Sequence, residues 1–373
     1  MKTEYIKRAL YTAFVISAFL LSLQILYYGL TNSDWHDFDV FYSAAKAALS
    51  GKSIYIIIGR YHLPFWYFPW TAWFFIPFAI WPPKIALILY QCVSIISAIL
   101  VINNLIKYYN PDFKFWDKIL IFSLLIVMSL PVMIVGQMEY ILLGLLLLAI
   151  YAIEQKKDVL AGLIFPFLWT KPHLVIIFTF FAFWRAGKRI ILVSFASSAL
   201  MLLLETVINP RWYLEMLNLL KTGGQRTVGL AFTTFPSLLG SQENWIGTAN
   251  LPFTIALILL AFLIVWKYRS LPTVPLLSLS LAASLFCAPR AYAYDLPLLI
   301  PAIIWLTAKE FKSTFWIWII ASIFPLLIKF SSSTYLVTLL VFLLAIIKAH
   351  KNLYSTTGIS KMLPESPDKA SYP

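Results

Sequence analysis

Apolar residues run through this chain in blocks separated by short polar breaks. A run of about 20 such residues spans the hydrocarbon of a bilayer. Blocks near that length recur at 9–30, 64–82, 84–106, 118–135, 138–154, 159–184, 188–208, 250–267, 272–288, 292–308, 313–330 and 333–349. The pattern predicts an all-α polytopic membrane protein with about 11–12 transmembrane segments. Two blocks are interrupted: 64–82 carries prolines at 64, 69 and 77, and 159–184 is cut by Lys171-Pro172-His173. Proline removes a helix hydrogen bond and kinks the chain.

Between the first two blocks, "SDWHDFDVFYSAAKAALSGKSIY" (33–55) places Val40, Phe41, Ala44, Ala45, Ala47 and Ala48 at helical spacing. A short helix over 39–49 follows, ended by Gly51 and lying on the outer membrane surface. The longest polar connection, 209–249, opens with Pro210, Trp212, Tyr213, Leu214 and Leu217, which predict a second helix along the interface. No hydrophilic block is large enough for a soluble domain. The division is one bundle over 1–350 and a polar tail over 351–373, rich in Pro and Ser, that reads as disordered.

Composition agrees with the pattern. Hydrophobic residues make up 61% and charged residues 12%, with a mean hydropathy of +0.82, against about half and a quarter in a soluble domain. The net charge of +13 does not point to nucleic acid, because the basic residues stand at the ends of apolar blocks, where the positive-inside rule puts them. Placing Lys2, Lys7 and Arg8, Arg185, Lys188 and Arg189, Lys267 and Arg269, Lys309 and Lys312, and Lys348 and Lys351 in the cytoplasm predicts a multi-pass protein of the cytoplasmic membrane. Both termini are then cytoplasmic, with 31–63, 209–249 and 288–295 outside. Strict alternation would put "EQKKD" (154–158) outside and "GQME" (136–139) inside, against the preference of the lysine pair. If 159–184 enters halfway and returns, the order reverses, and 64–82 then needs an irregular path too. The sequence leaves both open. The first block is long for a signal-peptide core, and "LTNSD" after it is no small-residue cleavage site, so it reads as an uncleaved helix. Cys92 and Cys287 lie in apolar blocks and are expected as packed thiols.

Charge spent against this background is informative. Asp34, Asp37 and Asp39 fall within six positions of one outer loop. One acid suffices to hold the free N–H groups of a helix start, and Asp39 is the nearer candidate, which leaves another for chemistry. Tyr67 sits where the chain re-enters the membrane and can donate a hydrogen bond into a site. "GQMEY" sets Gln137 and Glu139 between two apolar blocks. Lys171 lies about twelve residues from either end of its block, too deep to snorkel comfortably, with His173 two residues on. "APRAYAYD" (288–295) groups Arg290, Tyr292, Tyr294 and Asp295, and an arginine fork suits phosphate oxygens. There is no HExxH, Cys–His spacing, P-loop or GxGxxG, and the four histidines are dispersed. No metal site or cofactor is expected.

The order of these pieces resembles family 87 of the polyprenyl-phosphate-sugar-dependent glycosyltransferases, which have the GT-C fold. The family's D-x-x-V-Y-x-x-A-A then G-x-x-x-Y is similar to "DFDVFYSAAKAALSGKSIY", with Asp37, Val40, Ala44, Ala45, Gly51 and Tyr55. Its F-x-Y-P-P resembles "FWYFPW", its G-Q-x-N turn "GQME", its K-P step Lys171-Pro172, and its late S-P-x-x-W-x-H element "APRAYAYD". Glu139 stands where the family commonly has Asn, and Tyr294 where it commonly has His.

The resemblance implies transfer of a hexose, with mannose the first candidate, from a polyprenyl- or dolichyl-phosphate sugar to a glycolipid or glycan acceptor at the outer face, with inversion and without a metal. It implies Asp37 as general base. Substrate contacts would come from Asp39, Tyr55, Tyr67, Gln137, Glu139, Lys171, His173, Arg290, Tyr292, Tyr294 and Asp295, with Lys171 and Arg290 expected on the donor's phosphate. The competing class is a secondary transporter or flippase, which also breaks helices at midplane. Coupling carboxylates inside the spans would favour it, whereas the first acids here lie in an outer loop.

Overall fold

A computed structural model describes residues 36–55, 63–111, 115–222, 251–289, 291–307 and 334–360, with positions 12, 16, 27, 316–317 and 320–321. Among these the secondary structure is helical throughout, without a strand. The helices are α1 (His36–Leu49), α2 (Pro69–Ala79), α3 (Pro83–Tyr109), α4 (Phe115–Val135), α5 (Glu139–Glu154), α6 (Asp158–Leu168), α7 (Ile176–Ala186), α8 (Lys188–Ile208), α9 (Trp212–Thr222), α10 (Leu251–Lys267), α11 (Thr273–Cys287), α12 (Ile300–Thr307) and α13 (Thr334–Ser360). Short 3-10 turns at Pro172–Leu174 and Ala293–Leu299 precede α7 and α12.

Three described helices are long and apolar enough to cross a membrane: Pro83–Tyr109, Lys188–Ile208 and Leu336–Leu353 within α13. The chain is an all-α polytopic membrane protein. The expected spans 9–30 and 313–330 lie mostly outside the described residues, as do most of the loop 209–249 and Arg290. α13 runs on to Ser360, ten residues into the segment expected as disordered. Extending a formed helix costs little per residue, and no proline interrupts 351–360.

The interrupted block 159–184 is a hairpin. α6 and α7 fold back on one another, with ring centroids of Phe165 and Phe183 4.8 Å apart and those of Phe165 and Phe178 6.3 Å apart. α6 runs beside α8 over Gly162, where an added Cβ would come within 2.6 Å of Val193 Cβ. Small residues permit this close approach between membrane helices. Ser284 of α11 accepts hydrogen bonds from the Ile177 and Phe178 N–H groups (3.0 and 3.1 Å), so a neighbouring helix satisfies donors in the first turn of α7. The 64–82 block is irregular too. Its helix begins only at Pro69, and Thr71 meets Thr170 of the hairpin tip through a 3.1 Å hydroxyl contact. The two broken segments therefore stand side by side.

This path decides the alternation left open above. Tyr108 reaches Glu154 (3.5 Å), Arg185 donates to the Leu271 carbonyl, Trp184 packs on Trp266 (4.7 Å), and Lys348 donates to the Trp305 and Leu306 carbonyls. Among the described residues, one end of the bundle thus gathers Arg185, Lys188, Lys267, Arg269 and Lys348, and the turn from α5 to α6 that carries Lys156 and Lys157 lies at that end too. At the other end Tyr42 donates to the Trp81 carbonyl (2.8 Å) and Ser53 to Glu215 (2.6 Å). That end holds α1, the turn at 136–138 and α9. α9 is amphipathic as expected, with Tyr213, Leu214 and Leu217 exposed.

α11 is buried from Val274 to Cys287, and its serines bond backbone carbonyls, as Ser280 does with Leu277 (2.9 Å). Cys287 is buried but Cys92 is exposed, so only one of the two thiols is packed as expected. Position 92 faces outward on α3 because the inward stripe runs through Leu87, Gln91 and Ser94.

Candidate active site

α1 begins at His36, which puts Asp37 and Asp39 both in its first turn. Asp39 is thus inside the helix, not before it as a cap. Acids there are favoured by the helix dipole. The helix is fixed by aromatic packing: Phe38 lies 5.3 Å from Tyr90, and Phe41 stacks 4.6 Å from Phe75. Gly51, at φ +63°, follows its end.

The turn after α4 locks onto that helix start. Gly136 and Gln137 both donate backbone N–H to the Val132 carbonyl (2.9 and 3.0 Å). Gly136 has φ +74°, and a Cβ there would sit 2.4 Å from Phe38 Cβ, so the position demands glycine twice over. The approach brings Gln137 Nε2 to Asp37 Oδ2 at 2.9 Å. Tyr90, which the sequence did not single out, donates to the Gln137 carbonyl at 2.6 Å. A tyrosine within an apolar span carries no periodicity that reveals such a bond. Asp37 Oδ1 faces His36 Nε2 at 3.8 Å. Burial raises the Asp37 carboxyl above its ordinary pKa, opposed by the charge of His36 and the hydrogen bond from Gln137.

Beside this pair lies a buried ionic cluster. Lys171, at the hairpin tip, donates to Glu139 Oε1 and to Asp295 Oδ1 (3.0 Å), with its ammonium 4.9 Å from the centre of the Tyr294 ring. Asp295 Oδ2 accepts from the Tyr292 N–H (2.7 Å), closing a capping box on the 3-10 turn. Glu139 Oε2 is buried without a hydrogen-bond partner. The ammonium expected on the donor's phosphate is here shared by two carboxylates, as buried charges require.

The remaining candidates divide. Tyr67 is packed on Phe41 (5.0 Å), and its hydroxyl reaches Gln137. Tyr55 donates to the Tyr67 carbonyl at 3.1 Å, so it braces the descending segment. Tyr292 stacks on Tyr294 at 4.9 Å, and His173 is half-buried in the 3-10 turn beside Lys171. Asp34 and Arg290 lie outside the described residues. Asp37, Tyr67, Gln137, Glu139, Lys171, Tyr294 and Asp295 converge, although they come from five separate parts of the chain.

α2, the end of α6 and α8 enclose an apolar groove of about 440 Å³, lined by Trp70, Trp73, Phe74, Pro77, Phe78, Phe167 and Met201. Leu200, Leu203 and Leu204 on the adjoining helix are exposed, as on a lipid-facing surface.

The family model for glycosyltransferase family 87 matches residues 65–291. The chain belongs to glycosyltransferase family 87. Membership makes this a membrane glycosyltransferase with a sugar donor and an acceptor. The family 87 match takes in Tyr67, Gln137, Glu139 and Lys171 and begins after Asp37, which the fold returns to the matched region through Gln137. No curated protein and no solved structure matches the chain.

Proposed function

We propose that this family 87 enzyme transfers a hexose from a polyprenyl-phosphate sugar to a glycolipid or glycan acceptor at the face opposite the basic end of the bundle. The observation that carries the proposal is Asp37. It is a partly exposed carboxylate in a largely buried setting, with one oxygen held by Gln137 at 2.9 Å and the other 3.8 Å from His36 Nε2, too long for a hydrogen bond. The acceptor hydroxyl attacks the anomeric carbon, Asp37 takes its proton, and the bond from that carbon to the phosphate oxygen breaks. The lipid phosphate leaves with the electron pair. A base of this kind contributes about 10²–10⁴ in rate, and attack opposite the leaving group inverts the configuration.

The basic end faces the cytoplasm under the positive-inside rule, which puts Asp37 outside. The aromatic groove supports a lipid-linked donor, because it is an apolar slot whose lining residue Trp70 adjoins Thr71 in sequence, and Thr71 meets Thr170, the chain neighbour of Lys171. Lys171 serves this reading as the clamp that holds the hairpin tip to Glu139 and Asp295. The phosphate is left to other donors, Arg290 among them. Mannose is the sugar to try first.

The test is transfer of label from polyprenyl-phosphate [¹⁴C]mannose or [¹⁴C]glucose into a new glycolipid or glycan, using purified protein and membrane extract. Transfer that depends on Asp37 supports the proposal. No transfer from any lipid-linked donor, together with solute uptake by reconstituted vesicles, overturns it in favour of a transporter.

A further inference from the structure

We infer that Gln137 is a positioning residue that fixes which Asp37 oxygen takes the proton and keeps that carboxyl ionised in its buried setting. The inference rests on Asp37 being the base. Gln137 Nε2 donates to Oδ2 at 2.9 Å, which leaves Oδ1 for the acceptor hydroxyl. The glutamine amide is held in turn. Its Oε1 faces the Met138 N–H at 3.4 Å, its backbone carbonyl accepts from Tyr90, and its N–H is tied to Val132. With Oε1 turned to a donor, the NH₂ group is the part left to face Asp37. Gly136 completes the device, since only a residue without Cβ lets this turn reach Phe38, next to Asp37.

The other groups facing Asp37 do not replace it. His36 on the same helix stands 3.8 Å from Oδ1. Lys171 and Asp295 act on it through charge, while Tyr67 and Tyr294 are neutral phenols that feel the charge of Asp37 itself. Lys171 is committed to Glu139 and Asp295, and Asp295 opposes ionisation of Asp37. A hydrogen bond to the charged form of a carboxyl favours that form, and Gln137 supplies one directly.

Gln137→Met keeps the volume and removes the donor. With polyprenyl-phosphate [¹⁴C]mannose and membrane lipid extract, or the glucose donor if that proves active, the acid limb of kcat/KM should move upward by about one to two pH units. Activity should recover in part at alkaline pH. A merely structural role would lower the rate at every pH alike, and an unmoved limb overturns the inference. If Gln137→Met does not yield folded protein, Gln137→Glu serves. It keeps the length but sets a carboxyl against Asp37 Oδ2, so one proton is shared and the limb moves upward further; an unmoved limb overturns the inference here too. Asp37→Asn in the same assay separates the two claims. An active Asp37→Asn removes the base itself. An inactive one beside a wild-type limb in Gln137→Met removes only the role of Gln137.

Discussion

Lys171 and Asp295 meet at 3.0 Å although 124 residues separate them, and the same ammonium holds Glu139 from a third segment. The contact ties the hairpin tip, the start of α5 and the last turn before α12 into one unit. Breaking it by Lys171→Met leaves two buried carboxylates without a counter-charge, which costs about 3–5 kcal/mol for a single uncompensated group. Thermal unfolding in detergent should show a large loss of stability. Neutralising both acids as well, with Glu139→Gln and Asp295→Asn, should restore most of it.

Asp37→Asn should lower transfer by about 10²–10⁴, because the amide keeps the shape but accepts no proton. It should not destabilise the fold. A carboxyl whose folded pKa is raised contributes stability below its unfolded value and loses it as pH rises, so at neutral pH its charge is a cost that the amide removes. Asp39→Asn should be milder in rate. Transfer and melting temperature, measured on the same preparations, check the pair.

The pH dependence follows with a definite sign. Asp37 must be ionised to act, and burial holds its carboxyl above the ordinary value of about 3.9. Activity should therefore fall on acidification at a higher pH than for a solvated aspartate. The acid limb of kcat/KM measures this, and a limb in the usual carboxylate range would exclude Asp37 as the titrating group.

Gly136→Ala should damage both stability and rate. The positive φ alone costs a non-glycine residue roughly 1–3 kcal/mol, and the new methyl would lie 2.4 Å from Phe38 Cβ. Gly51→Ala, where nothing lies within 4 Å of the added Cβ, is the matched control. It carries the backbone cost without the collision, so its transfer rate should hold better.

Trp73→Ala and Phe167→Ala should raise KM for the long-chain donor with little change in kcat, since both residues line the groove and neither touches Asp37. A donor with a truncated lipid tail should show no difference between these variants and wild type. Equal KM values with the long-chain donor would take the groove off the substrate path.

The helices were legible because apolar length alone marks a membrane span. The proline in Lys171-Pro172-His173 also marked the break that becomes the hairpin tip. Which way the chain turned there was not legible, because it depends on Gly162 lying against Val193 and on Thr71 meeting Thr170, contacts that spacing does not encode. Asp37, Gln137, Glu139, Lys171 and Asp295 each stood out as charge or polarity misplaced in an apolar chain. Their pairing did not, since Lys171 finds partners 32 and 124 residues away. Tyr90 was hidden for the opposite reason, as one more aromatic in a membrane helix.

The hairpin sets an order on biosynthesis. Its two arms are eleven residues each, too short to cross singly, and its tip carries a lysine that hydrocarbon will not accept alone. When Lys171 leaves the ribosome, Glu139 has already been made, but Asp295 is still 124 residues away. At usual synthesis rates that is on the order of ten seconds. For that interval the nascent chain holds half of its charge clamp, and the hairpin is committed to its final depth only when the last third of the protein arrives to close it.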